Sequence, residues 1–258
     1  MAEHAPASNA TQASVPALTA AAIRTASHED WLRVACDPAL TGDQALALLA
    51  HSDLPGSVIE QLAKNRSAVT KRKVKLALAC HAQTPRHVSV PLIRQFYTFD
   101  LMKVALSPVV PTDVKVSADE TLIGRLKTIT LGERLTLARR ASGKIAGALL
   151  LDANKRIMHT ALENARLTES QVVHAVLKPD AGAVLIQAVS QHAKWSLRRD
   201  VQTTLLRTGQ LSLARALAFA QEISPARLRE ILQSSRLPEN IKGQLLQARP
   251  SQKAAPAD

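Results

Sequence analysis

The sequence predicts an all-α fold in which short helices stack as a right-handed solenoid of about five repeats. The first support is a segment that returns about every 44 residues, a period typical of arrays with two or three helices per repeat. The second is composition, because Ala, Leu, Arg and Gln abound, the nine glycines are few, and alternating Val/Thr/Tyr runs are missing. One such unit cannot cover its own apolar face, so neighbouring repeats must stack.

Each repeat is marked by a two-residue break before an apolar helix. The break recurs at Leu40-Thr41, Thr84-Pro85, Leu167-Thr168 and Leu211-Ser212. Thr41, Thr168 and Ser212 stand where a hydroxyl can accept a hydrogen bond from the next helix, and Pro85 stands where a first-turn proline is tolerated. One upstream position is shared, at spacings of 44, 83 and 44 residues, by Ala35, Ala79, Leu162 and Leu206. The long spacing predicts a fifth, diverged copy in the middle.

Three short helices are predicted per repeat. In the first repeat they run from Trp31 to Cys36, from Asp43 to Ala50 and from Gly56 to Lys64. The diverged central repeat, about residues 109–151, predicts helices from Lys115 to Lys127, Gly132 to Ala141 and Ser142 to Leu151. A hinge between two half-arrays is the alternative for this stretch.

The repeat domain is expected to span residues 27–248 between two disordered tails. Residues 1–26 are an Ala/Ser/Thr/Pro mixture without the basic start and apolar core of a signal peptide, and residues 249–258 are similarly polar. No stretch approaches the roughly 18 apolar residues of a membrane span. We therefore expect a cytoplasmic protein.

Two segments, Leu48 to Val58 and Ala148 to Ile157, carry a family resemblance. Each has an apolar pair, an aspartate near the turn and a β-branched residue soon after, which resembles the interhelical turn of HEAT-type repeats. The resemblance covers most of residues 27–248 and implies a HEAT/armadillo-like α-solenoid that acts as a scaffold or adaptor. The chain departs from the usual HEAT unit by a third, armadillo-like helix and by lacking a regular Asp/Arg ladder. The stretch from Gly132 to Val173 is also similar to sequences in uncharacterised bacterial solenoid proteins.

The net charge of +12 and the pI near 10.2 indicate an anionic partner, such as nucleic acid, acidic lipid or an acidic protein face. No acidic residue lies between Glu60 and Asp100. In repeat register, cations precede the first helix of successive units, and stacking would align them as a basic ridge. The predicted ridge residues are Lys71, Arg72, Lys73, Lys115, Lys155, Arg156, Arg198 and Arg199.

An ordinary solvated surface is the alternative, because the first repeat has His28-Glu29-Asp30 where the other repeats have cations. Against it, a cation before a helix is opposed by the helix dipole at a cost of a few tenths of a kcal/mol, so its recurrence indicates use. We expect a non-enzymatic interaction scaffold whose ridge engages an acidic protein. The alternative is a sequence-independent binder of the nucleic-acid backbone, and six aromatic residues disfavour a single-stranded ligand.

No catalytic, cofactor-binding or metal-binding motif is evident in the sequence, and no small-molecule substrate is expected. Because some HEAT-like solenoids are DNA-repair glycosylases, Trp195 and Asp200 are candidates for a catalytic cleft. We expect instead that Trp195 packs at a repeat seam and that Asp200 caps a helix. Cys36 and Cys80 are expected to be two buried, reduced thiols; a redox pair, or a zinc site with His81, is the alternative.

Overall fold

The computed structural model describes residues 19–23 and 26–247 of the 258-residue chain. Every regular element within those residues is a helix, which confirms the all-α prediction. The chain divides into two compact units, the first ending at Leu92 and the second beginning at Ile93.

The first unit contains six helices in its described part, and a seventh spans the boundary. They are α1 (Ala20–Ile23), α2 (His28–Cys36), α3 (Gly42–Leu48), α4 (Gly56–Lys64), α5 (Arg66–Val69), α6 (Arg72–Cys80) and the boundary helix α7 (Arg86–Ile93). The described part of the second unit contains α8 (Thr98–Leu106), α9 (Thr112–Arg125), α10 (Leu131–Arg140), α11 (Gly143–Leu149), α12 (Lys155–Leu162), α13 (Glu169–Leu177), α14 (Ala183–Gln191), α15 (Arg199–Arg207), α16 (Leu213–Glu222), α17 (Pro225–Gln233) and α18 (Glu239–Gln247).

Helix starts follow the predicted breaks. Thr41 caps α3, where the backbone N–H of Gln44 donates to the Thr41 hydroxyl and the Gln44 side chain accepts from the Thr41 N–H at 2.8 Å. Thr168 begins α13 in the same way, since its N–H donates to Gln171 Oε1 at 2.9 Å. Ser212 is also an N-cap residue, but its side chain makes no capping bond, so that part of the prediction is wrong.

Each unit packs helices that are separated by one intervening helix. In the first unit α1 contacts α3 and α2 contacts α4; α3 contacts α6 across two helices, α4 and the one-turn helix α5. In the second unit one series runs α10, α12, α14 and another runs α11, α13, α15, α17. Contacts between next-but-one helices therefore recur beside contacts between consecutive helices such as α8 and α9, whereas the sequence period contains three helices. The regular superhelix and its number of repeats stay predictions.

The central stretch forms the predicted helices, now bounded as α9, α10 and α11. α9 is the longest helix described, with 14 residues, and packs closely on α8. Its buried face includes Val114, Ala118 and Leu122, which recur at helical spacing.

The predicted N-terminal tail ends earlier than residue 26. Residues 20–23 form α1, which packs on α3, and Ile23 is fully buried. The indole N–H of Trp31 donates to the carbonyl oxygen of Ile23 at 3.1 Å, which fixes this turn against α2. The rest of the predicted tail, and residues 249–258, lie outside the described residues.

Polar side chains that follow a helix bind back to the preceding helix of the same series. Asn65, after α4, donates through Nδ2 to the carbonyl oxygens of Ala35 at 3.0 Å and Asp37 at 2.7 Å, both at the end of α2. Asn164, after α12, donates to Ala138 O at 2.8 Å and Ala141 O at 3.3 Å. We call these two junctions the Asn65 seam (α2 with α4) and the Asn164 seam (α10 with α12).

Two histidines make equivalent connections. His81 Nε2 donates to His51 O at 2.7 Å, and His192 Nε2 donates to Glu163 Oε1 at 3.1 Å. In all four cases the side chain's other polar atom accepts from the backbone N–H two residues later, for example Ser67 N to Asn65 Oδ1 at 3.0 Å. Each side chain therefore closes a local turn and fixes a helix end to an earlier one.

None of the described helices has both the length and the apolar character that crossing a membrane requires.

Candidate functional site

The predicted ridge residues lie at helix N-termini. Lys71 is the N-cap residue of α6, and Arg72 and Lys73 are its first two residues. Lys155 and Arg156 begin α12 in the same way, while Arg198 is the N-cap of α15 and Arg199 its first residue. The helix dipole places positive potential at these same ends, so each cluster adds to it rather than offsetting it.

The side chains of these clusters are exposed. Lys73, Lys155, Arg156, Arg198 and Arg199 form no ion pair with any described carboxylate. The first turns of α6 and α15 also receive no hydrogen bond from the side chain of their N-cap residue. α12 differs, because Asn154 Oδ1 accepts from the Arg156 N–H at 2.9 Å. An anion placed at α6 or α15 would meet both exposed cations and backbone N–H groups that receive no bond from the N-cap side chain.

Lys115 differs from the other predicted ridge residues. It is the fourth residue of α9, it is half-buried, and its ammonium donates to the carbonyl oxygen of Pro108 at 3.5 Å. Lys115 is therefore bound to the loop before its own helix, and its free cationic surface is smaller than that of the other ridge residues.

The clusters have different surroundings. Lys155 lines a hollow of about 200 Å³ together with Asp152 and Asp180. Arg199 lines another, of about 550 Å³, with Asp200, Glu222 and Arg227. Since α12 packs on α10 and α14 whereas α15 packs on α13 and α17, continuity between these clusters stays a prediction.

Of the hollows lined by Lys71, Lys155 and Arg199, the one lined by Lys71 is the most strongly cationic. It has a volume of about 610 Å³ and also contains Arg66, and no carboxylate lines it. The predicted ridge does not include Arg66 or Lys64, which lie on either side of Asn65. The signal that could have found them is the acid-free run after Glu60, which contains both residues.

Trp195 does not form a base-binding cleft with Asp200. The indole is 1% exposed and its Nε1 donates to the carbonyl oxygen of Leu162 at 2.9 Å, so it packs inside the unit as expected. Lys194 Nζ lies 4.0 Å from the ring centroid and covers one face. Asp200 is the second residue of α15 and not its cap, which is Arg198, so the predicted capping role is wrong.

The cysteines differ from expectation. Neither forms a disulfide, but Cys36 is exposed and Cys80 is half-buried, so the prediction of two buried thiols is wrong. Cys36 ends α2 beside Asp37, where the chain leaves the helix. Within residues 19–23 and 26–247, no three His, Cys, Asp or Glu side chains are grouped to hold a metal ion.

The comparisons with known proteins give no match: no protein-family model, no curated protein and no solved structure is significantly similar to this chain.

Proposed function

We propose that this chain is a HEAT/armadillo-like α-solenoid that works in the cytoplasm as a non-enzymatic interaction scaffold, its basic ridge engaging an acidic protein partner. The observation that carries the proposal is the repeated placement of exposed cations at the N-termini of α6, α12 and α15. The helix dipole makes that placement unfavourable in isolation, and a bound anion relieves it. The packing of helices on their next-but-one neighbours supports the stacked architecture.

Sequence-independent binding to a nucleic-acid backbone is the second candidate. The net charge of +12 favours it, because clustered cations bind phosphates through the release of counterions. The same residues would serve both functions, so the two have to be separated by the choice of ligand.

A salt titration with two ligands tests the proposal. The protein is titrated with fluorescent poly-glutamate and with random-sequence duplex DNA, and the affinity is measured by anisotropy at rising salt. We expect binding to poly-glutamate that weakens with salt and falls by about tenfold or more when the ridge cations are removed. The ridge variant replaces with Ala the residues Arg72, Lys73, Lys155, Arg156 and Arg199.

A control variant loses the same charge from exposed cations outside these helix starts, namely Lys103, Lys127, Arg139, Lys178 and Arg229. Equal losses in both variants would show that net charge alone drives binding, and the ridge would then have no role. Tight DNA binding with a steep salt dependence, together with weak poly-glutamate binding, would favour the second candidate.

A further inference from the structure

The surface of the first unit carries two shallow hollows with a cationic lining. Two hollows, of about 310 Å³ and about 610 Å³, adjoin because Arg66 and Ser67 line both. Lys64 lines the smaller hollow and Lys71 the larger one. We call this surface the Arg66 groove. It follows the Asn65 seam and continues to the start of α3.

The charge of the Arg66 groove is of one sign. Lys64, Arg66 and Lys71 are exposed, and none of the three forms an ion pair with a described residue. No carboxylate lines either hollow; Asp37 and Asp43, although close in sequence, are not part of the lining. Three unpaired cations within one concave surface attract a ligand that carries several negative charges.

The walls of the groove are held in place. Asn65 joins α4 to the end of α2 through two hydrogen bonds, and the Ser67 hydroxyl donates to the carbonyl oxygen of Pro38 at 2.6 Å. On the other side, the flexible stem of Lys71 lies beside Gly42 at the start of α3, so this wall rests on the backbone contacts of Asn65 and Ser67. A fixed groove loses little conformational entropy when a ligand binds.

The dimensions and lining favour an extended polypeptide over nucleic acid. Each hollow has a volume suited to a few side chains, whereas a duplex is much wider than a side chain. No aromatic ring lines either hollow, so unpaired bases would find no stacking platform. Carboxylates match the fork of donors on Arg66 and the ammonium groups of Lys64 and Lys71, although phosphates would match them as well.

We propose that the Arg66 groove is the docking site for an acidic polypeptide segment, whose carboxylates pair with Lys64, Arg66 and Lys71. The inference rests on the proposed function, in which the chain engages an acidic protein, and it adds the place and the residues. Lys71 is shared with the basic ridge, whereas Lys64 and Arg66 are new.

Charge reversal tests the site with a fluorescent decaglutamate peptide. The variant Lys64→Glu/Arg66→Glu/Lys71→Glu is compared with the control Lys103→Glu/Lys127→Glu/Lys178→Glu, which changes the net charge equally at other exposed positions. We expect a loss of affinity of about tenfold or more in the groove variant and of less than about threefold in the control. Circular dichroism and the urea midpoint of both variants check that folding is retained.

The outcomes separate this inference from the proposed function. If the wild-type protein does not bind decaglutamate at low salt, both fail. If it binds and the two variants lose affinity equally, the groove is not the site, although the scaffold function stands. If duplex DNA binds more tightly than the peptide and is lost in the groove variant, the groove takes nucleic acid and the polypeptide assignment is overturned.

A second measurement uses Cys36, which lines the smaller hollow and is exposed. In a Cys80→Ala background Cys36 is the sole cysteine, and its alkylation by a maleimide-tagged decaglutamate is compared with that by a maleimide-tagged Gly/Ser peptide. We expect the acidic peptide to react several-fold faster because it is concentrated at the groove, and the advantage to vanish at high salt. Equal rates for the two peptides would overturn the proposal.

Discussion

The Asn65 seam and the Asn164 seam join their helices in the same way but differ in what lies outside the joint. In each, an asparagine amide donates to two carbonyl oxygens at the end of an earlier helix and accepts from the N–H two residues later. Asn65 is half-buried and lines an open hollow, whereas Asn164 is 2% exposed. The same polar connection can therefore support either an open groove or a filled interior.

The start of the neighbouring helix accounts for part of this difference. α3 and α11 both begin with a glycine that follows a hydroxyl N-cap, at Gly42 and Gly143. A Cβ on Gly143 would overlap the carbonyl oxygen of Arg166, which lies in the loop that Asn164 closes. A Cβ on Gly42 would meet only the flexible stem of Lys71. Close backbone approach fills the space at the Asn164 seam.

The largest expected effect comes from Gly143→Ala. We expect a loss of about 3 kcal/mol in the free energy of unfolding, because the added methyl group forces two backbone segments apart. The matched change Gly42→Ala should alter stability by less than about 1 kcal/mol, since Lys71 can rotate away and Ala is favoured over Gly in a helix. Urea denaturation followed by circular dichroism measures both. Equal losses would mean that the two helix starts are packed alike, contrary to the structure.

A smaller difference is expected from removal of the two amides. Asn164→Ala should cost about 2 kcal/mol, because it leaves buried carbonyl oxygens without a donor. Asn65→Ala should cost about 1 kcal/mol, because water in the open hollow can replace part of the lost bonding. The same urea experiment provides the comparison. A greater loss at Asn65 would show that water does not reach that seam.

The helices were predictable from the sequence because apolar spacing and caps act over a few residues. The pattern in α9, for example, is set by Val114, Ala118 and Leu122 within the helix itself, and the cap of α3 by Thr41 and Gln44. α1 was missed because its apolar residues lie in a tail of biased composition. Its helix is stabilised by contacts with Trp31 and α3, which are not local.

The seams and the groove could not be predicted because their partners are distant backbone atoms. The carbonyl oxygens that bind Asn65 are 28 and 30 residues away. Because every residue has a carbonyl, the sequence does not indicate which ones Asn65 binds. The repeat register did contain a hint, since Asn65 and His192 lie seven residues before Arg72 and Arg199 respectively. The short helix α5, which begins directly at Arg66, was not predicted, and Lys64 and Arg66 were therefore not placed together.

The smallest expected effect is a pH dependence of stability at the start of α11. Ser142, which caps α11 beside Gly143, donates to Asp119 Oδ1 at 2.8 Å, and Asp119 is 7% exposed. Burial raises the pKa of Asp119 above its usual 3.8, and this effect exceeds the opposing hydrogen bond from Ser142 and the attraction of Lys144. The folded state therefore holds this proton more tightly than the unfolded chain does.

The stability that protonated Asp119 contributes depends on pH. The stabilising contribution of protonated Asp119 is complete below pH 3.8 and is lost as the pH rises through its raised folded-state pKa. Asp119→Asn cannot ionise, so its stability relative to the wild type should improve as the pH rises from acid to neutral. Thermal melts at a series of pH values measure this difference.

The control for this change is Glu120→Gln, at the exposed neighbour that pairs with Lys144 at 3.2 Å. Exposed ion pairs contribute about 0.5 kcal/mol, and the Glu120 charge is the smallest of the causes that shift the pKa of Asp119, so this variant should keep most of the wild-type pH dependence. A relative stability of Asp119→Asn that falls as the pH rises would mean that the ionised carboxylate is stabilised where it stands. In that case the polar contacts around α11, rather than its close packing, would distinguish the Asn164 seam from the open Asn65 seam.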